Sequence, residues 1–259
     1  MIRVMLSVMS FLFFMVFQPA WGQSPSAMEA YTAGHYDAAI ADVATDRGAD
    51  ACAFSARSLL AKAISGEAQP AHALLQGALD EANAALSVDP GHIEGRLQKA
   101  IALSLMARPM SLKEARASGY GEEARQLAEG VLQDDPQNAY AHGFLAVWNL
   151  EVMRRGGRLG AMIMGASLDA AEAHYHAAMA SSPGDAALNW QFARALATLN
   201  ARKYHEEISA ALDAALAAPV DDGDIPRGED AGNVGRGRIR RGDEVAVRLH
   251  GELACEELR

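Results

Sequence analysis

The sequence predicts an all-α fold: a right-handed superhelix of stacked antiparallel helix hairpins, an α-solenoid, followed by an irregular C-terminal tail. Three observations carry this. Prolines return at the ends of successive helical runs, at Pro90, Pro136, Pro183 and Pro219. The runs are rich in alanine, which favours helix and lets neighbouring helices approach closely. Apolar residues recur at helical spacing rather than in alternation: Leu97, Ile101 and Leu105, then Leu145, Trp148 and Val152, then Trp190, Phe192, Leu196 and Leu199. A unit that repeats along the chain reads as a stacked array, because one hairpin cannot bury its own apolar face.

The N-terminus reads as a processing segment. Arg3 supplies a positive start, Val4 to Phe17 is apolar, and Ala20 and Gly22 are the small residues a signal peptidase needs. The apolar run of about 14 residues is short for a bilayer span of roughly 20. Residues 1–22 are therefore expected to be a cleaved signal peptide, leaving a chain that begins at Gln23 with no integral membrane segment.

Residues 23–219 form the helical array. Tyr31, Gly34, Tyr36, Ala39 and Ile40 make the first hairpin signal: a glycine turn, an aromatic opening the second helix, and a small residue where two helices touch. On these residues the chain resembles the tetratricopeptide repeat (TPR) family. The same turn recurs at Asn200 to Ile208, with Glu207 in place of the usual alanine. Further matches are Ala78 and Ala85 before Pro90, Ala124 and Ala128 before Pro136, Ala171, Tyr175 and Ala178 before Pro183, and Ile208, Ala211 and Ala214 before Pro219.

The four prolines lie 46, 47 and 36 residues apart, against a family period of about 34. Two repeats therefore carry inserts, 107–121 and 154–166, both between the first and second helix. Stacking places all such turns along one edge, so the inserts are expected to be neighbours. Ser111 and Glu114 form a capping box, predicting a short helix in the first insert. The second is expected to be a glycine-hinged loop whose apolar residues tuck under the array, with Ser167 capping the next helix.

Residues 220–259 depart in composition, with seven arginines, seven glycines and no lysine. Most of this Gly/Arg-rich tail has too few apolar side chains to pack. The last array helix carries Ile208, Leu212 and Leu216 on one stripe. With no further repeat to cover it, weak self-association is expected through that stripe.

Catalytic, cofactor and metal motifs are not found. Gly160 to Ser167 has the glycine spacing of a phosphate loop, but Ala166 stands where the lysine belongs. His174 and His176 are two apart, on opposite sides of a helix, and His205-Glu206 lacks the second histidine of a zinc helix. Cys52 and Cys255 have no spacing that forces a bridge. The formal net charge of −10 argues against a nucleic-acid role.

In TPR arrays the first helix of each repeat lines a concave groove. The resemblance implies groove residues Glu94, Leu97 and Ile101, then Tyr140, Val147 and Glu151, then Trp190 and Arg194. Trp190 and Arg194 are one turn apart, an aromatic beside a charge, as binding hot spots favour. Arg154, Arg155 and Arg158 form a basic cluster in the second insert, suited to an acidic partner surface or an anionic lipid headgroup, or else to compensating a helix C-terminus. The expected function is a non-enzymatic periplasmic scaffold binding a peptide or an envelope protein, without cofactor. The alternative is a small-ligand-binding accessory protein of an envelope transport system, a role the resemblance implies for some exported repeat proteins.

Overall fold

The computed structural model describes residues 24–65 and 72–218. The expected signal segment, the tail, Pro219 and Cys255 lie outside the described residues. Among those described there are eleven helices, arranged as five hairpins. These are α1 (Pro25–Thr32) with α2 (Tyr36–Val43), and α3 (Ala49–Ser65) with α4 (His72–Val88). Then come α5 (Ile93–Ala107) with α7 (Tyr120–Asp134), and α8 (Ala139–Met164) with α9 (Leu168–Ser181). The last is α10 (Ala186–Asn200) with α11 (His205–Leu216), and the short α6 (Leu112–Ser118) is the first insert.

The partners of each hairpin pack on each other, and successive hairpins stack through α2 on α3, α4 on α5 and α7 on α8. The first helices also form their own row, α3 on α5, α5 on α8 and α8 on α10. This is the α-solenoid the prolines and alanines predict. Helices α4, α7 and α9 each end two residues before a proline, at Pro90, Pro136 and Pro183. Proline has no N–H to donate and disfavours helical geometry in the residue before it.

Ala39, Ala78, Ala85, Ala124, Ala128, Ala171 and Ala178 are all fully buried. Each occupies a crossing where a larger side chain would hold the helices apart. Gly34 takes φ +81 at the first hairpin turn, a conformation other residues resist. At the corresponding turn into α11, Glu207 is exposed, and Ile208 and Ala211 make the contact with α10 instead.

Caps define the helix starts. Ser24, Asn138 and Asp185 each accept from the backbone N–H three residues on. Ser111 and Glu114 form the predicted capping box, and Ser167 caps α9 by accepting from the Ala170 N–H.

Two expectations are corrected. The second insert is not a loop. The helix of α8 continues through it, broken at Gly157 (φ +56), and residues 158–164 form a further short helical stretch. Its Ala161 packs with Trp148 and Ala166, whereas Leu159, Met162 and Ile163 point outward, 64%, 73% and 55% exposed. A loop would have to satisfy its backbone polar groups locally, and continued helix does this without help. The second correction concerns α11. Ile208 and Leu212 are fully buried against Phe192 and Leu196, and only Leu216 of the stripe is open, at 53%. The outward face carries Glu206, Glu207 and Asp213, so α11 closes the array much as a polar capping helix does.

The hairpin of α8 and α9 also joins two histidines. Their Nδ1 atoms lie 2.9 Å apart at His142 and His174, and His142 Nε2 is 3.1 Å from the Pro136 carbonyl. Nε2–H of His142 therefore donates to Pro136, and its Nδ1 accepts from Nδ1–H of His174. Burial, then the neighbouring His142, hold the His174 pKa below its ordinary 6.5. A lowered histidine pKa makes the unfolded chain the better proton acceptor. Its stabilising contribution is complete above about pH 6.5 and declines as pH falls from there toward the lower folded-state value. Urea midpoints at about pH 5 and about pH 7.5 should differ less in His174→Gln than in the parent. An unchanged difference would show that other groups govern the acid side. No group of three or more metal-ligating side chains occurs among the described residues.

Candidate functional site

The row of first helices gathers two polar clusters. The upper one joins α3, α5, α8 and the cap of α10. Arg57 Nε donates to Glu94 Oε1 at 2.6 Å, and Gln98 Nε2 donates to the same oxygen at 2.7 Å. Tyr140, 55% exposed, donates its hydroxyl to Asp185 Oδ2 at 3.2 Å. Partial burial, then Asp185, raise the Tyr140 pKa, and Arg57 and Glu94 lie close enough to act on it as charges. The Tyr140 ring thus stands open to solvent above two carboxylates and an arginine.

The lower cluster lies beside the inserts. Arg154 donates from Nε and Nη2 to Glu151 Oε2, at 3.0 and 2.8 Å. Arg194 donates to the Gln191 side-chain oxygen of its own helix, at 3.2 and 2.9 Å. Arg108, at the end of α5, is within electrostatic reach of Glu151, Arg154 and Arg194. Between the clusters, Val147 and Trp190 are partly buried against the core of the last two hairpins, and Ile101 against that of the earlier ones.

Leu97 differs from the groove residues around it. It is 4% exposed and packs with Val131 and Ala141, a core position that no ligand reaches. Glu94, Ile101, Tyr140, Val147, Glu151, Trp190 and Arg194 all retain some exposure on the first helices.

The three arginines of the second insert have separate surroundings. Arg154 joins Glu151. Arg155 donates to the carbonyls of Ala107 at 3.0 Å and Met110 at 2.5 Å, tying the two inserts together as neighbours. Arg158, beyond the Gly157 kink, lines a wide-mouthed cavity of about 570 Å³ with Met153, Met162, Leu199, Lys203 and Tyr204. Arg154 and Arg155, adjacent on the helix, leave in different directions, and the break at Gly157 turns Arg158 away from both.

Sequence reasoning missed Arg57, Gln98, Arg108, Asp185 and Gln191. Arg57, Gln98 and Gln191 share first helices with the recognised residues, so a fuller alignment of those helices could have found them. Arg108 and Asp185 sit at helix ends, where a turn-residue reading hides them.

Together the row of first helices and its paired polar clusters define the class: a TPR-like α-solenoid with an open first-helix face. No family profile matches the sequence, and no curated relative matches it. Among solved structures, the chain is similar to a thermophilic TPR protein from Thermus thermophilus, with a TM-score of 0.55 and 19% identity. The match covers 83% of this chain and 94% of that one. At this identity the likeness speaks to the fold. No helix among the described residues is long and apolar enough to cross a membrane.

Proposed function

We propose that this chain is a non-enzymatic scaffold of the periplasm whose first-helix row binds a peptide segment or a second envelope protein. The observation that carries this is the open row itself, with Tyr140 displayed between charged groups and Trp190 and Arg194 a turn apart. Rigid aromatics beside charges supply contact area at little entropic cost. The export reading rests on the apolar segment after Arg3 and the small residues Ala20 and Gly22. By that reading the chain comprises a signal peptide (1–22), the array (23–219) and the tail (220–259). The alternative, a small-ligand accessory protein, draws on the cavity beneath the second insert. That cavity opens widely to solvent, and Arg158 and Lys203 make part of its wall polar.

One experiment tests the reading. Tagged parent and Tyr140→Ala chains are expressed in a Gram-negative host, and proteins and small molecules captured from the periplasmic extract are identified by mass spectrometry. The expected result is a bait beginning at Gln23 and protein partners retained by the parent but lost with Tyr140→Ala. Equal capture by both chains would remove the groove. Intact Met1 in the membrane fraction would remove export. A co-purifying small molecule without protein partners would select the alternative.

A further inference from the structure

The edge on which first helices turn into second helices differs from the rest of the surface in two ways. Of the eight large apolar side chains open to solvent among the described residues, five lie on it: Ile64 at the end of α3, Leu112 in α6, and Leu159, Met162 and Ile163 beyond the Gly157 break. Its charge is also opposite to that of the protein. Residues 108–118, 154–166 and 201–204 carry three, three and two lysines and arginines, in a chain of net charge −10. The single carboxylate in these segments, Glu114, is committed to the capping box of α6. On the opposite edge, the turns at 44–48, 89–92, 135–138 and 182–185 carry Asp46, Asp89, Asp135 and Asp185 against Arg47 alone.

Packing makes the insert edge one surface. Arg155 ties the carbonyls of Ala107 and Met110 to α8, so Leu112 and Leu159 rise from neighbouring inserts. Arg158 and Met162 line one wide-mouthed cavity with Lys203, which carries the surface on to the turn between α10 and α11. Leu159, Met162 and Ile163 stand three and four residues apart and share a helix face, while Ala161 is buried against Trp148. Lys113, Arg116, Arg158 and Arg202 are exposed and have no ion-pair partner among the described residues.

We propose that the insert edge is a peripheral docking surface for an anionic lipid bilayer. Leu112, Leu159, Met162 and Ile163 enter the headgroup region, and the lysines and arginines around them meet lipid phosphates. The reversal of charge selects an anionic partner, since every other face of an acidic protein is repelled by one. The shape selects a bilayer over a protein. These apolar side chains project instead of lining a groove, and a bilayer interface takes up projecting side chains without a matching pocket. The contact is independent of the first-helix row: Tyr140 stands at the start of α8, the far end of that helix from the insert.

The test uses the chain purified from a Gram-negative host and sedimented with vesicles. One set is phosphatidylcholine alone, the other phosphatidylcholine and phosphatidylglycerol in equal parts. The chain should bind the mixed vesicles more tightly than the neutral ones, and raised salt should release it. Arg158→Gln with Lys203→Gln should weaken binding to mixed vesicles about tenfold or more. Leu159→Ser with Met162→Ser should weaken it by a similar factor. Val88→Ser, at an exposed residue of the opposite edge, should bind as the parent does. All these side chains are exposed, so circular dichroism should show parental helix throughout. Tryptophan emission from Met162→Trp should shift to the blue on mixed vesicles, which attraction between charges alone would not cause. No preference for mixed vesicles, parental binding by both double variants, or unmoved Met162→Trp emission would each overturn the proposal. Release by inorganic phosphate, where chloride of equal ionic strength does not release, would assign the cations to free phosphate and overturn the lipid source. A protein cross-linked through Met162→Cys, without vesicle binding, would make this edge a protein interface instead.

Discussion

Phe192→Ala is expected to be the most damaging single substitution in the array. Phe192 is 4% exposed and stacks on Tyr175 of α9, centroids 3.9 Å apart and planes 4° from parallel. It also meets Ala146 and Leu150 of α8 and Ile208 and Leu212 of α11 in one cluster. One ring thus holds together four helices of the last two hairpins. Truncating a buried phenylalanine to alanine costs about 3–5 kcal/mol, through lost burial and the cavity left behind. The Tyr175 hydroxyl, which donates to the buried Asn189 at 2.6 Å, would lose the surface that orients its ring. Thermal unfolding should shift down by roughly 10 °C for a chain of this size. Leu216→Ala, at a residue 53% exposed on α11, should stay within about 0.5 kcal/mol of the parent. A similar small change for Phe192→Ala would show that the last two hairpins do not share a core.

Arg155→Met is expected to release the insert edge while leaving the array folded. The methionine keeps an apolar stem but has no donor for the carbonyls of Ala107 and Met110. The Ala107 carbonyl keeps the Met110 N–H as a donor, but the Met110 carbonyl loses its side-chain donor, a cost of about 1–3 kcal/mol at the contact between the inserts. Amide exchange should quicken in residues 107–118 and 158–166 and stay near parental rates in α3 and α4. Cysteines placed at Met110 and Arg158 should cross-link with a short reagent in the parent background and less efficiently with Arg155→Met. Equal cross-linking in both backgrounds would mean that stacking alone aligns the inserts.

Signals are legible in the sequence where the chemistry is local. Gly34 at its turn, the Ser111–Glu114 capping box and the Ser167 cap are each decided within four residues. The buried alanines are legible as well, because small residues at helical spacing before a proline have few other uses. Leu97 reads as a groove residue yet sits in the core, because its neighbours Val131 and Ala141 come from two later helices. The outward turn of Met162 and Ile163 follows from a positive φ at Gly157, which glycine permits without announcing. His142 and His174 do not read as a pair because 32 residues separate them, although both lie on helices of one expected hairpin.

By itself the sequence determined the helices, their order and their pairing into hairpins. Periodicity, caps and proline breaks act over one or two turns, and each repeat buries its face against the next in the same way. Tertiary structure alone decided which charges on different helices meet, whereas Glu151 and Arg154 pair within one helix. Arg154, Arg155 and Arg158 lie within five residues, yet one pairs with Glu151, one braces the other insert and one faces a cavity. Arg108 and Arg194 lie 86 residues apart in sequence and share one electrostatic site. Helical propensity is a property of a segment, whereas Coulomb interaction depends on distance across helices, and that distance exists only once the hairpins have stacked.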